Sequence, residues 1–161
     1  MKKLIFVRHS KAEDPAIEIS DFERSLTSKG KILANTMAIR LKEKESSAGL
    51  LISSPAFRAI ETALIFAGIF RLPADKILLA GNIYYKFNFL TLQSELKRIN
   101  EEEDIVTLFG HNPSFTDLAA ELSRDGCDFM QKCAIVCISF QAATWSDLKP
   151  NSGKIEYNLK P

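Results

Sequence analysis

Short apolar runs alternate along this chain with segments whose apolar residues recur every three or four positions. The run Lys3–Val7 is continuous and rich in strand formers, which is typical of a strand buried on both faces of a sheet. Leu50–Ser53, Lys76–Leu79 and Ile105–Phe109 predict three further strands. The helical spacing predicts helices at 32–44, 56–70, 92–99 and 114–122.

The last quarter of the sequence has a different pattern. Cys133–Phe140 and Lys154–Leu159 are predicted strands with no strong helix between them. Alternating strands and helices followed by a strand pair predict an α/β fold. We therefore expect a three-layer α/β/α sandwich, with helices on both faces of a mixed, mostly parallel sheet. No internal repeat or linker interrupts the pattern, so residues 1–161 are interpreted as a single domain.

Composition narrows the classes of function. The 161 residues are 46% hydrophobic and 25% charged, as in globular proteins, and the net charge is +1. Such a balance argues against general binding to nucleic acid or to an acidic membrane surface. Near the start only Leu4–Val7 is apolar, whereas a signal sequence needs about 7–15 apolar residues and a membrane span about 20. We expect neither, and hence a cytoplasmic protein.

The cysteines fit the same compartment. Cys127, Cys133 and Cys137 are odd in number, and we interpret them as reduced thiols in or near the core. Zinc binding is the weaker alternative, because the chain has no CxxC pair and neither histidine lies near the cysteines in sequence.

Chemically useful side chains follow three of the predicted strands. The first strand ends in Arg8 and His9, the second leads into the helix that carries Arg58, and the strand at 105–109 is followed by His111 and Asn112. In open parallel sheets, ligands bind beyond the carboxyl ends of the strands. If these strands are neighbours, two arginines and the only two histidines of the chain share one pocket.

Such a pocket suits a phosphoryl group. Two guanidinium groups grip its oxygens with charge-assisted hydrogen bonds of about 1.5–3 kcal/mol each. Nearby positive charge keeps an imidazole neutral near pH 7, which leaves a lone pair free to attack phosphorus. Gly110 is expected to let the backbone approach the ligand closely. Each residue alone has a plainer interpretation, namely a buried structural histidine for His9, a surface ion pair with Glu61 for Arg58 and a turn for His111.

At these residues the chain resembles a known family. The segments VRHSKAE, LTSKG, SSPAFRAIETA and FGHNPSF occur in this order between residue 4 and about residue 115. They resemble the histidine phosphatase superfamily, and most of all its small branch of SixA-type phosphohistidine phosphatases. The resemblance implies a phosphoglycerate mutase-like fold.

The resemblance also implies roles for individual residues. His9 matches the nucleophile that becomes transiently phosphorylated, and Arg8, Arg58 and His111 match the rest of the phosphate pocket. No metal or other cofactor is implied. Four polar residues near these motifs are expected to touch phosphate or substrate. Two of them also have a plainer interpretation: Lys11 as a surface lysine, and Arg24 as the partner of Asp21 in an ion pair. The four are Ser10, Lys11, Arg24 and Asn112.

The general acid is the main departure from the superfamily. Many of its phosphomonoesterases protonate the leaving alkoxide with a glutamate from the middle of the chain, but LLAGNIYYKFNFL at 78–90 has no carboxylate. Loss of such an acid typically costs 10²–10⁴ in rate. Glu13, Asp14 and Asp21 are candidate replacements, or else solvated loop charges. The aromatic residues at 84–89 belong either to the core or to a wall of the cleft.

We therefore expect a metal-independent phosphatase that acts through phospho-His9. Phosphohistidine on a protein is the favoured substrate, because its leaving nitrogen has less need of an acid than an alkoxide. One alternative is a broad-specificity phosphomonoesterase for small molecules. Another is a phosphate-binding adaptor domain with little turnover. A metal-dependent hydrolase built on His9 and His111 would lack clustered carboxylate ligands.

Overall fold

The computed structural model describes all 161 residues and contains six strands and five helices in one sheet-centred arrangement. The strands are β1 (Lys2–Arg8), β2 (Leu50–Ser53), β3 (Leu78–Leu79), β4 (Ile105–Gly110), β5 (Ile135–Phe140) and β6 (Lys154–Leu159). The helices are α1 (Ser28–Lys44), α2 (Phe57–Phe70), α3 (Asn82–Tyr85), α4 (Phe89–Leu96) and α5 (Ser114–Leu122). Short 3₁₀ turns lie at Asp21–Glu23, Ala74–Lys76 and Trp145–Asp147.

The six strands form one sheet in the order β3-β2-β4-β1-β5-β6. The pairs β3–β2, β2–β4 and β4–β1 are parallel, and β5 runs antiparallel to both of its neighbours. The mixed, mostly parallel sheet is therefore confirmed. The neighbours β2, β4 and β1 are the three strands whose following residues carry the candidate chemistry, so the predicted adjacency of their carboxyl ends is also confirmed.

Alternation along β1 divides the core between the two faces of the sheet. Leu4 and Phe6 belong to a cluster that includes residues of α3, α4 and α5, whereas Ile5 and Val7 belong to a cluster built with α1 and α2. None of these four side chains has any exposed surface. Helices thus cover both faces, and the strand is apolar throughout because it has no solvent-facing side. The three-layer α/β/α architecture follows.

Several boundaries differ from the predicted ones for local reasons. The strand expected to begin at Cys133 begins at Ile135, since Cys133 has a φ of 65° and its N–H donates to the carbonyls of Arg8 and His9. The helix expected to reach residue 99 ends at Leu96, where the chain turns. The short helix α3 was not among the predicted elements. None of the helices combines the length and apolar character needed to cross a membrane.

Candidate active site

Hydrogen bonds between neighbouring loops fix the carboxyl ends of β2, β4 and β1. The N–H of His9 donates to the carbonyl of Gly110 at 2.9 Å, and the N–H of Ser54 donates to the carbonyl of Phe109, also at 2.9 Å. Both bonds continue the ladders of the sheet by one step beyond the strands. The loops that carry His9, His111 and the start of α2 are therefore held side by side.

His9 is buried and has one ring nitrogen engaged. Its Nδ1 lies 2.7 Å from the carbonyl oxygen of Ser10, which only accepts, so Nδ1 carries the proton. Nε2 therefore holds the lone pair. Burial lowers the pKa of His9 to about 3, opposed by the hydrogen bond to Ser10 and assisted by the charges of Arg58 and Arg8. At neutral pH this side chain is a neutral imidazole with a free nucleophilic nitrogen.

His111 lies next to His9, with a distance of 5.1 Å between the ring centroids. Its Nε2 is 2.8 Å from the hydroxyl oxygen of Ser54, and its Nδ1 is buried without a hydrogen-bond partner. Burial, with the positive charge of Arg58, lowers the pKa of His111 to about 4. This imidazole is also neutral at neutral pH.

The two arginines are held by different partners. Arg8 donates from one terminal nitrogen to the carbonyl of Met130 at 2.9 Å, and its guanidinium lies 5.4 Å from the centre of the Phe129 ring. Arg58 is only 6% exposed and donates to both the backbone carbonyl and the carboxylate of Asp21, the latter at 2.9 Å. The plainer interpretation of Arg58, a surface ion pair with Glu61, is wrong, since that carboxylate accepts from the N–H of Leu26 instead.

Two buried polar atoms without partners mark this region. Among the buried side-chain nitrogen and oxygen atoms of the chain, only Arg8 Nε and His111 Nδ1 lack a hydrogen-bond partner. An unsatisfied buried polar group costs about 1–3 kcal/mol, so native proteins keep few of them. Both atoms belong to residues at the ends of the adjacent strands β1 and β4. An anion bound at this edge of the sheet would offer acceptor oxygens to Arg8 Nε, and to His111 Nδ1 when that nitrogen carries the ring proton.

Asp21 is the acidic member of the cluster. Its carboxylate accepts from Arg58, from Arg24 at 2.8 Å and from the Tyr84 hydroxyl at 3.1 Å. Although partial burial opposes ionisation, the hydrogen bonds from Arg58 and Arg24 lower the pKa of Asp21 to about 2. In this arrangement Asp21 has no proton to give at neutral pH. Arg24 takes the plainer of its two predicted contacts, the ion pair with Asp21.

Two predicted contact residues have their polar groups engaged within the protein. The hydroxyl of Ser10 is fully buried and donates to the carbonyl of Gly30 at 2.7 Å, so the structure does not offer it as an extra pocket hydroxyl. The side-chain amide of Asn112 donates to the Met130 carbonyl, and its oxygen accepts from Thr116. Asn112 therefore braces the same carbonyl that holds Arg8.

Three of the predicted site residues are exposed at the surface, and the predicted role of Gly110 needs correction. Lys11, Glu13 and Asp14 are exposed, and the Glu13 carboxylate accepts from the N–H of Ser25 at 3.2 Å. The absent side chain of Gly110 does not serve ligand approach. A Cβ there would lie 2.5 Å from the Phe115 ring, so this glycine makes room for core packing.

The sequence pattern did not single out two residues that contact the site. Ser54 touches His111, and the only signal was its position between a strand and a proline at a helix start. Tyr84 was noticed only as part of an aromatic group. Its ring lies edge-on to His111 with centroids 5.6 Å apart. Phe87 from the same group is buried in the core, so the group divides between core and cleft.

Comparison with solved structures identifies the fold. No family model matches the sequence, and no curated protein matches it by sequence. The protein histidine phosphatase SixA, solved with tungstate, is 22% identical with a TM-score of 0.83, over 99% of this chain and 97% of that one. The mycobacterial glucosyl-3-phosphoglycerate phosphatase in complex with VO₃ is 13% identical with a TM-score of 0.70, over the full length of both chains. The chain therefore has the phosphoglycerate mutase-like fold of the histidine phosphatases.

Within that fold, the likeness to SixA structures extends over the whole chain. A SixA protein from Agrobacterium tumefaciens is 21% identical with a TM-score of 0.80, over 99% of this chain and 98% of that one. The resemblance read from the four sequence segments is thus confirmed at the level of the fold.

Proposed function

We propose that this protein is a phosphatase of the SixA type that forms a covalent phosphohistidine at His9. The observation that carries the proposal is the pairing of a free imidazole nitrogen on His9 with two buried polar atoms that lack partners, Arg8 Nε and His111 Nδ1. A phosphoryl group supplies an electrophile for the first and acceptor oxygens for the other two. The likeness to histidine phosphatase structures supports the same chemistry.

The arginines supply the charge that the reaction needs. Arg8 and Arg58 neutralise the phosphoryl oxygens, and His111 donates a hydrogen bond as negative charge builds in transfer. These groups are positioned before the substrate arrives, Arg8 by the Met130 carbonyl and Arg58 by Asp21. Such preorganised donors stabilise the transition state without a reorganisation cost at the moment of reaction. The proposal requires no metal ion.

The reaction has two displacements. The Nε2 lone pair of His9 forms a bond to phosphorus while the bond from phosphorus to the leaving atom breaks, and the leaving group takes up a proton. Water then attacks phospho-His9. The nitrogen–phosphorus bond breaks, its electron pair returns to Nε2, and inorganic phosphate leaves as H₂PO₄⁻, which carries the water oxygen and both of the water's protons.

The leaving group is the point at which substrate classes separate. Asp21 is ionised above about pH 2, and Glu13 and Asp14 are exposed loop carboxylates. The middle segment brings Tyr84 to the site, and burial with the Asp21 carboxylate raises the pKa of Tyr84. No carboxylic acid is thus ready to protonate an alkoxide. The leaving group of phosphohistidine is an imidazole, which leaves once its nitrogen is protonated and needs no carboxylic acid from the enzyme. We therefore infer that phosphohistidine is the substrate.

Exposed aromatic side chains around the site support a protein as the carrier of the phosphohistidine. Phe129 is 66% exposed and stacks on Arg8, and Tyr85 is 83% exposed and packs on Tyr84. Aromatic residues of this kind are enriched where proteins bind proteins.

A small-molecule phosphomonoesterase is the second candidate. The likeness to a structure named as a glucosyl-3-phosphoglycerate phosphatase favours it, because the same fold there is named for a phosphate ester. Under this alternative, Asp21, Glu13 or Asp14 would act as the acid after the loop moves. The two candidates differ in their leaving atom, nitrogen against oxygen, and so are separable by substrate.

The test measures phosphate release from a histidine-phosphorylated protein, from p-nitrophenyl phosphate and from sugar phosphates, with and without a chelator. We expect kcat/KM on the phosphohistidine protein to exceed that on sugar phosphates by at least a hundredfold, unchanged by the chelator. Comparable rates on sugar phosphates would overturn the substrate assignment. Absence of turnover on every substrate would favour the adaptor alternative.

Variants connect the activity to the site. His9→Asn should abolish turnover and prevent formation of an acid-labile phosphoprotein that wild-type protein accumulates on rapid quenching. Arg58→Ala should lose activity by at least a hundredfold, while the matched control Arg98→Ala, whose side chain is 78% exposed, should keep it. Labelling at a residue other than His9 would refute the mechanism.

A further inference from the structure

We propose that Ser54 is a positioning residue that fixes the tautomer of His111, so that Nδ1 of His111 carries a proton and serves as a hydrogen-bond donor to the phosphoryl group. The inference rests on the proposed function for its consequence, but the tautomer itself follows from hydrogen bonding within the protein. Ser54 has no exposed surface, and its hydroxyl oxygen lies 2.8 Å from Nε2 of His111.

The hydroxyl proton of Ser54 has one acceptor within reach. The Oγ atom has two contacts, the N–H of Ala56 at 3.3 Å and Nε2 of His111. The Ala56 N–H only donates, so it takes one lone pair of Oγ and leaves the proton for His111. Nε2 must then be the unprotonated nitrogen. A neutral imidazole keeps one N–H, and that proton is on Nδ1.

The opposite tautomer leaves two groups unsatisfied. If Nε2–H donated to Ser54, the hydroxyl proton would be buried without an acceptor, which is unfavourable. Nδ1 would present a lone pair, and two lone pairs would face each other when a phosphoryl oxygen approached. With the assigned tautomer, the orphaned Nδ1 is instead a donor, as an oxyanion requires.

Ser54 is itself held rigidly. Its N–H donates to the carbonyl of Phe109 at 2.9 Å, and its carbonyl accepts from the hydroxyl of Ser53 at 2.8 Å. With the Ala56 contact, backbone and side chain are both fixed at the start of α2. The hydroxyl is therefore a fixed reference for the orientation of the His111 ring.

The two histidines then use the same tautomer for opposite purposes. In His9, Nδ1–H is given to the Ser10 carbonyl and Nε2 remains as a nucleophile. In His111, Nε2 is taken by the Ser54 hydroxyl and Nδ1–H remains as a donor. The Ser10 carbonyl thus leaves His9 with a nucleophilic nitrogen, and the Ser54 hydroxyl leaves His111 with a hydrogen-bond donor.

The direct test is a long-range ¹H–¹⁵N correlation spectrum of ¹⁵N-labelled protein at pH 7, which distinguishes protonated from unprotonated ring nitrogens. The chain has only two histidines, so the His9→Asn variant assigns both signal sets. We expect His111 of the wild-type protein to be protonated on Nδ1 alone. A wild-type spectrum with the proton on Nε2 overturns the inference, whether or not any variant folds.

Variants at position 54 give the second readout. In Ser54→Ala we expect a shift of His111 toward the Nε2–H tautomer and a fall in kcat of on the order of 10- to 100-fold, less than the full 10²–10³ for a lost oxyanion donor because part of the population keeps Nδ1–H. KM should change by less than about threefold, since the donor acts mainly on the transition state. Ser54→Thr should restore the tautomer and most of kcat.

Ser139→Ala is the matched control, because Ser139 is also a buried serine and its hydroxyl donates to Glu156, without contact to Ser54 or His111. It should leave the tautomer unchanged. An unchanged tautomer in Ser54→Ala would refute the role of Ser54. If the wild-type protein proved inactive on every phosphorylated substrate while the spectra behaved as expected, the proposed function would fail and the tautomer assignment would stand.

Discussion

The two buried imidazoles should make the folded protein sensitive to mild acid. An imidazole in the unfolded chain has a pKa of about 6.5, whereas burial lowers the pKa of His9 to about 3 and that of His111 to about 4. Below pH 6.5 the two imidazoles therefore bind protons in the unfolded state that they do not bind in the folded state. The free energy of unfolding that depends on these two neutral imidazoles is fully present above pH 6.5, and it is lost as the pH falls toward their pKa values in the folded state.

The size of the effect follows from the linkage relation. Each group contributes a slope of about 1.4 kcal/mol per pH unit between its two pKa values, so the pair gives about 2.7 kcal/mol per unit. Integrated from pH 7.5 to 4.5, the expected loss in the free energy of unfolding is about 5 kcal/mol. That loss is comparable to the whole stability of many domains, about 5–15 kcal/mol. A domain at the lower end of that range would approach its unfolding midpoint near pH 4.5.

The assay is urea unfolding at pH 7.5, 6.5, 5.5 and 4.5, followed by fluorescence of the buried single tryptophan, Trp145. His9→Gln and His111→Gln should each remove about half of the pH dependence, and the double variant nearly all of it. Asp21→Asn is the control, because a folded pKa of about 2 confines its effect to below about pH 4. If each glutamine variant kept the full wild-type loss, the imidazoles would not be the groups excluded from protonation, and their neutrality at the site would be refuted.

Three further changes probe separate features. Asp21→Asn should raise the affinity for vanadate about fivefold, as measured by calorimetry. The half-exposed ion pair between Asp21 and Arg58 is worth about 1 kcal/mol, and without it the carboxylate no longer competes with the anion for Arg58. Weaker binding would contradict this. Gly110→Ala should lower the free energy of unfolding by about 1–3 kcal/mol in urea titrations, because the new Cβ meets the Phe115 ring. Tyr85→Ala should raise KM about three- to tenfold for a phosphohistidine protein and leave p-nitrophenyl phosphate unaffected, with exposed Ile32→Ala as the control.

The sequence was sufficient to predict the parts of the site that depend on the sheet. Apolar runs placed Arg8, His9 and His111 at strand ends, and the alternation of strands and helices predicted a mostly parallel sheet, in which such ends lie along one edge. Both conclusions depend on backbone periodicity and on the crevice beyond parallel strands, which tolerate much variation in sequence. The register that pairs Arg8 with Gly110 bears this out.

The pattern of apolar and polar residues could not predict the contacts that depend on the direction of a side chain. Asp21 and Arg58 are 37 residues apart, and no periodicity indicates that the first loop folds back over the start of α2. Ser10 and Ser54 are both serines beside a motif, yet one hydroxyl turns to Gly30 and the other to His111. Such choices depend on rotamers and on which acceptors remain unsatisfied nearby, and only coordinates give these.

A site that brings two guanidinium groups toward two imidazoles has to resist its own electrostatics. Positive charges that act on the same two imidazoles also repel each other, and the protein limits that cost in three ways. Asp21 neutralises Arg58, the Met130 carbonyl supports Arg8, and burial keeps both imidazoles uncharged. None of these contacts engages Arg8 Nε or His111 Nδ1, so under the proposed function both remain available to an incoming anion. Under the proposed function, the ladder of β2, β4 and β1 already holds the loops, so the binding energy of that anion is not spent on assembling the pocket and remains for the transition state.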